Sequence, residues 1–210
     1  MGINRIVIGI SGCSASGKSF IVKYILDNLG DELVSILYQD NYYRKREDQI
    51  KDDKGNYNFD LPTSFHIDQQ IDDIKKIKNG KKVVRNEYTF NNPSINPKKI
   101  IVNPRPILLV EGLFLFDNSD LLSLFDKKIF IDSEIETMIN RRIKRDHNIR
   151  GYDKDDVIYK YENHVIPAYK KYILPHKDYS DIIVDNNKKD FEGAKTTLDY
   201  ITKQYALYNK

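Results

Sequence analysis

The chain has no tryptophan, one cysteine and two methionines among its 210 residues. A single cysteine excludes an internal disulfide framework and suits a reducing compartment. Long apolar runs are missing as well. The longest, Ile107 to Phe116, is interrupted by Glu111 and Gly112, which excludes an ordinary membrane span. The first residues pass almost at once into a strand-like run and lack the apolar stretch of a secretory signal, so a soluble, cytoplasmic protein with no membrane partner is expected. Nor is there an excess of either charge: 34 Lys and Arg face 31 Asp and Glu, a formal net charge of +3 that is too small to argue for nucleic acid as a partner. Repeats and low-complexity tracts do not occur. The length fits one domain, 1–210, with a real core and a subsidiary lid or hairpin; two full domains would be cramped.

What is present is organised around one stretch. Gly12-Cys13-Ser14-Ala15-Ser16-Gly17-Lys18-Ser19 has the pattern Gly-x-x-x-x-Gly-Lys-Ser and follows the β-branched run Arg5–Ile10, as a phosphate-binding loop should. Small residues let backbone N–H groups turn inward around polyphosphate oxygens, and the helix starting near Gly17 aims its positive end at them. Lys18 supplies a cation for the β- and γ-phosphates, and the Ser19 hydroxyl a ligand for Mg²⁺. The expected nucleotide-binding set is therefore Gly12, Ser14, Ala15, Ser16, Gly17, Lys18, Ser19 and Phe20, with Cys13 present as a small residue.

Beyond the loop, strand-like and helix-like patterns alternate. Ile21, Val22, Ile25, Leu26 and Leu29 recur at helical spacing, and the β-prone run 33–38 leads into Gln39-Asp40-Asn41-Tyr42-Tyr43. Further strands are predicted over 106–112, 128–132 and 181–185, with helices over 67–78, 134–147, 155–172 and 191–208. Pro167 within the third of these predicts a kink or break near Ile166. Such alternation implies an α/β fold with a parallel sheet and right-handed crossovers, whose ligands gather at the carboxyl ends of the strands. Asp40 and Glu111 stand at two of those ends. The polar, charged run 44–58 reads as a mobile surface loop, 57–65 alternates aromatic and acidic residues, and 82–102 reads as a hairpin arm. A cradle for polyphosphate, a carboxylate to take a hydroxyl proton, a second carboxylate for a metal and a run of arginines make the inventory for phosphoryl transfer. Taken singly, Asp40 also suits a turn, Glu111 a strand end, and the arginines a helix terminus.

Together with Asn58-Phe59-Asp60-Leu61-Pro62, Tyr88-Thr89-Phe90, Val110-Glu111-Gly112, Arg141-Arg142-Ile143-Lys144-Arg145-Asp146, Arg150-Gly151, Pro167-Ala168-Tyr169 and Tyr179–Val184, these stretches resemble the uridine kinase family of P-loop kinases, over roughly Ile6 to Val184. The resemblance implies a doubly wound parallel sheet of five strands with flanking helices, a hairpin beside the substrate and an Arg-bearing lid at about 142–160. It implies ATP-dependent phosphorylation of the 5′-hydroxyl of uridine or cytidine, with ATP or GTP as donor, Mg²⁺, and often a tetramer. Asp40 would be the base and, with Lys18, catalytic; Ser19 and Glu111 would hold Mg²⁺. Asp60 and Arg142 would hold the ribose hydroxyls, Tyr43, Phe59, Tyr88 and Phe90 would line the nucleoside pocket, and Arg145 and Arg150 would cover the phosphates. The chain departs from the family where it has Pro93 for a base-reading His, Tyr152 for a second Arg, Lys160 for a Gln and Ile149 for an acid. None of these touches the phosphate machinery; all bear on the acceptor, so pyrimidine selectivity weaker than the family's is expected. The rivals are a related kinase acting on another riboside, pantothenate or a sugar phosphate, and a nucleotide-hydrolysing regulatory module in which Asp40 orients water. The segment 57–65 argues for a kinase, since a hydrolase has no need of an acceptor pocket.

Overall fold

In the computed structural model, which describes residues 4–90, 92, 94–148, 151–188 and 191–209, the apolar runs fold into one parallel sheet. In chain order the elements are β1 (Ile6–Ser11), α1 (Lys18–Leu29), β2 (Val34–Tyr38), α2 (Ile67–Lys78), β3 (Val83–Asn86), β4 (Lys99–Val102), β5 (Ile107–Glu111), α3 (Ser119–Leu122), β6 (Lys127–Asp132), α4 (Ile135–Asn148), α5 (Lys154–Lys160), α6 (Ile166–Ala168), β7 (Ile182–Asp185) and α7 (Glu192–Tyr208). The strand order is β2-β5-β1-β6-β7, all parallel, with β1 in the middle and buried along its whole length. Burial on both faces is why β1 and β5 read as continuous apolar runs rather than alternating ones. Ile6 lies opposite Ile107 and Ile10 opposite Glu111, so β1 delivers the phosphate loop to the same sheet edge at which β5 ends in its carboxylate.

The two sheet faces take opposite sets of side chains, as a period of two requires. Ile6, Ile8 and Ile10 pack with Ile21, Val22 and Ile25 of α1 and Ala194 and Ile201 of α7. Val7, Leu108 and Val110 pack on the other side with Ile74 and Ile77 of α2, Leu115 and Leu121. Each fully buried Ile or Leu contributes about 2 kcal/mol by area removed from water. A third cluster, containing Cys13, Phe65, Phe114, Met138, Tyr161 and Val165, seats the helical stretch from α4 to α6 against the phosphate loop. The hairpin β3–β4 forms its own two-stranded antiparallel sheet; Val83 and Val102 are buried at its base, whereas Val84 and Ile101 face outward. Among the described residues no helix is long and apolar enough to cross a membrane.

Two expectations are corrected. Of the kink or break expected near Ile166, the break does not occur: the backbone stays helical through α6, and wide turns over Tyr161–Val165 and Tyr169–Ile173 flank it. The Ile166 N–H reaches back to the Tyr161 carbonyl, so the ladder is re-spaced around the missing proline donor rather than ended. The 44–58 segment is not a free loop. Gln49 is buried and donates to the carbonyls of Arg44 and Ser64, Lys51 and Tyr57 pair as an antiparallel bridge, and Asp52 closes the turn between them. Pro93, Ile149 and Arg150 lie outside the described residues.

Candidate active site

The phosphate loop joins β1 to α1 and is braced from behind. Gly17 has φ 102°, and a Cβ there would stand 2.1 Å from the Asn186 Nδ2, so only glycine fits. That Asn186 amide donates to the Ser16 carbonyl at 2.7 Å, and the Ser133 hydroxyl donates to the same oxygen at 3.3 Å. Arg141 closes the brace, donating to the carbonyls of Asn186 (2.8 Å) and Asn187 (3.2 Å). Ala15, at the tip, is held at φ 63°, a left-handed conformation that costs a non-glycine residue about 1 kcal/mol and recurs at ligand clamps.

Lys18 opens α1 and is buried, its ammonium donating to the carbonyls of Gly12 and Cys13 at 3.0 Å each. Burial lowers its pKa, and the Glu111 carboxylate 3.9 Å away works in the opposite direction. The same burial raises the Glu111 carboxyl above its ordinary value, while Lys18 pulls it back. The Ser19 hydroxyl donates to Glu111 Oε2 at 3.3 Å. Burial pushes the Cys13 thiol up to about 12, so it is an unreactive filler, as its place in the loop suggested. A hydroxyl touching one carboxylate beside a phosphate cradle is the donor set Mg²⁺ takes, since it shares its shell with substrate phosphates and water. Among the described residues no group of three or more His, Cys, Asp or Glu side chains makes a ready metal cage.

Asp40 sits on a single helical turn, Gln39–Tyr42, that caps the end of β2. Its neighbours hold that turn on three sides. Gln39 is fully buried, donates to Gln70 at 3.0 Å and accepts the Phe114 N–H at 2.9 Å. It fits because residue 112 is glycine: a Cβ there would meet the Gln39 Cβ at 2.5 Å. Tyr42 donates its hydroxyl to Asp73, which Arg85 of β3 also contacts. Asn41 accepts the Tyr88 N–H at 3.0 Å, tying the hairpin arm to the Asp40 turn.

Beyond Asp40 the rings of Tyr43, Phe59, Tyr88 and Phe90 form a contiguous aromatic wall, with centroids 4.6 Å apart for Tyr43–Tyr88, 5.0 Å for Tyr88–Phe90 and 6.0 Å for Tyr43–Phe59. Asp60 is 8% exposed and lies 3.6 Å from Arg142. Arg142 donates to the Ser14 hydroxyl at 3.0 Å and lies 3.2 Å from Asp146. Burial works against its charge, but Asp60 and Asp146 more than restore it and raise its pKa. Asp146 also accepts from Arg145 at 2.7 Å, so one carboxylate orients both arginines.

All of this converges on one cleft of about 690 Å³. Its lining includes Ser14, Ala15, Gly17, Lys18, Ser19 and Phe20 of the loop, the charged side chains of Asp40, Glu111, Arg142 and Arg145, and Tyr43, Phe59, Asp60, Tyr88 and Phe90. Gly12 and Ser16 are buried beneath the loop and do not reach the wall. Tyr152 and Lys160 do reach it, with the Lys160 ammonium 2.8 Å from Asp156 and over the Tyr152 ring. Gln39, Arg141 and Asp146 stand within the quoted stretches but carry no role in the sequence reading, and Asn186 lies two residues beyond the last of them.

Three comparisons bear on this geometry. The family model described as phosphoribulokinase / uridine kinase family matches residues 7–190. The uridine kinase of Macrococcus caseolyticus is 36% identical over 178 residues, 85% of this chain and 86% of that protein, and the uridine kinase of Staphylococcus haemolyticus is 33% identical over 199 residues, 95% and 94% of the two chains. Among solved structures, the phosphoribulokinase of Rhodobacter spheroides superposes with a TM-score of 0.63 at 18% identity, over 88% of this chain and 71% of that one, a likeness of fold.

Proposed function

Since the chain belongs to the phosphoribulokinase/uridine kinase family, we propose that it transfers the γ-phosphoryl group of ATP to the 5′-hydroxyl of a riboside, uridine or cytidine first among them. The observation that carries this reading is the composition of this cleft. A phosphate loop shares it with Asp40 and with a largely buried Asp60–Arg142 pair beside aromatic rings. A nucleotide hydrolase needs the first half and has no use for the second. The cleft's volume also suits a nucleoside laid end to end with a triphosphate tail.

In this reading Asp40 accepts the proton of the acceptor hydroxyl as its oxygen bonds to the γ-phosphorus and the bond to the β-γ bridging oxygen breaks. Lys18 turns from the loop carbonyls to the phosphate oxygens, and Arg145 meets the charge spread over the transferred group. Asp60 and Arg142 bind the two ribose hydroxyls, one as acceptor and one as donor. Ser19 and Glu111 would hold Mg²⁺, which when bound supplies positive charge to the β- and γ-oxygens. Pro93 offers no donor where the family has a base-reading His, and Tyr152 and Lys160 alter the neighbouring polar groups, which favours weaker base selectivity over a change of reaction. The enzyme is taken to be cytoplasmic and tetrameric, with a small molecule as partner and neither nucleic acid nor membrane. A transfer screen with γ-labelled ATP across nucleosides, pantothenate and sugar phosphates tests the reading: label in a nucleoside monophosphate is expected, and label moved only to pantothenate or a sugar phosphate would overturn the acceptor.

A further inference from the structure

The cleft is also walled by two stretches far apart in sequence. One is the segment 46–57, which contributes Asn56 and Tyr57; the other is the helical stretch that begins with α5, which contributes Val157, Lys160 and His164. Asp52 joins them. Its Oδ1 accepts the backbone N–H groups of Lys54 (3.0 Å) and Asn56 (2.8 Å), closing its own turn. Its Oδ2 accepts the Tyr159 hydroxyl at 2.9 Å and lies 2.8 Å from His164 Nε2. The Lys54 ammonium adds a cation over the Tyr159 ring, 4.4 Å from its centre. Desolvation works against the ionised carboxyl, but the hydrogen bonds from Asn56, His164 and Tyr159 hold it well below the usual carboxylate range. His164 itself is 3% exposed, so the joint is anchored in the interior of the helical stretch.

The joint is linked to the acceptor-binding pair by a short path. The Asn58 N–H donates to the Ile50 carbonyl at 2.7 Å, and the Asn58 side chain accepts the Asp60 N–H at 2.9 Å. Releasing residues 50–56 from the helix therefore loosens the support of Asp60. We propose that Asp52, Tyr159 and His164 are positioning residues, a clasp that holds segment 46–57 against the helical stretch beside the cleft and thereby fixes Asp60 for the acceptor. The clasp's effect on acceptor binding rests on the riboside reading above; the clasp itself does not. Loss of the clasp weakens ground-state and transition-state binding of the acceptor alike, so it raises KM for the acceptor and leaves kcat nearly alone.

Two measurements on the intact protein decide the matter. In steady-state kinetics, Asp52→Ala is expected to raise KM for uridine at least tenfold, with kcat within about threefold and KM for ATP unchanged. Tyr159→Phe, which keeps the ring, should give a smaller shift in the same direction, and Asp52→Asn should recover part of the loss. In hydrogen exchange on ligand-free protein, residues 46–57 should exchange at least tenfold faster in Asp52→Ala while β1 and α1 keep wild-type protection. An unmoved acceptor KM, or exchange that accelerates everywhere at once, overturns the clasp. A wild-type protein that phosphorylates no riboside overturns the acceptor reading instead; unchanged exchange of 46–57 in Asp52→Ala then still refutes the clasp, and selective acceleration still supports it.

Discussion

Removing one hydroxyl from the acceptor tests the Asp60–Arg142 pair most sharply. The Arg142 and Asp60 side chains are only 12% and 11% exposed and lie 3.6 Å apart, so water makes up for a missing partner only in part. A hydrogen bond to a charged group contributes about 1.5–3 kcal/mol, and a buried charge left short of a partner pushes the loss toward the upper end. At about 1.4 kcal/mol per factor of ten, uridine should exceed 2′-deoxyuridine in kcat/KM by roughly 10- to 150-fold. Asp60→Asn keeps the shape but removes the charge, so uridine should lose more than deoxyuridine and the ratio should shrink to roughly 3- to 10-fold. The assay is initial-rate kinetics with both nucleosides on both proteins, at saturating ATP and fixed magnesium. Equal kcat/KM for uridine and deoxyuridine on the wild-type enzyme, or a ratio untouched by Asp60→Asn, would refute the diol clamp.

Lys18→Ala should lower turnover by orders of magnitude while circular dichroism stays that of the folded protein, although the buried Glu111 carboxylate 3.9 Å away loses its counter-charge and the melting temperature shifts. Near-normal turnover with unaltered ATP affinity would contradict its role. Asp40→Asn should cost about 10²–10⁴ in kcat with little change in ATP binding; a mere halving would make Asp40 a turn residue. The Asp52 carboxyl is held below its ordinary value in the fold, so its contribution to stability is complete above about pH 4 and fades as pH falls further toward the folded-state value. The melting-temperature gap between wild type and Asp52→Asn should therefore narrow from pH 4 to pH 2, and a gap constant from pH 6 to pH 2 would refute this.

The phosphate loop and the sheet were legible in the chain because their signals are local. The loop's Gly, Lys and Ser are demanded by the chemistry of a polyphosphate, and β1 and β5 show unbroken apolar runs because both of their faces are covered. Asp60 and Arg142 take their roles from likeness to a family, and Asp40, at a strand end, is by itself equally suited to a turn. What escaped notice is long-range and polar. The segment 44–58 looks solvated because it is charged, yet the side chains that hold Asp52 lie 107 and 112 residues away, beyond any periodicity or motif. Arg141 read as one of several cations on a helix, while its acceptors are backbone carbonyls 45 and 46 residues further on. At Pro167 the expected break does not occur, because wide turns re-space the ladder around the one missing donor.

In the proposed reaction the γ-phosphoryl group moves to a nucleoside oxygen and not to water. The most direct measurement is mass spectrometry of a reaction containing the protein, ATP, magnesium and uridine, set beside the same reaction without uridine, with ADP and all phosphorylated products quantified. One uridine 5′-monophosphate is expected for each ADP, with little ADP when uridine is left out. ADP released at the same rate with or without uridine, matched by inorganic phosphate and no nucleoside monophosphate, would contradict it.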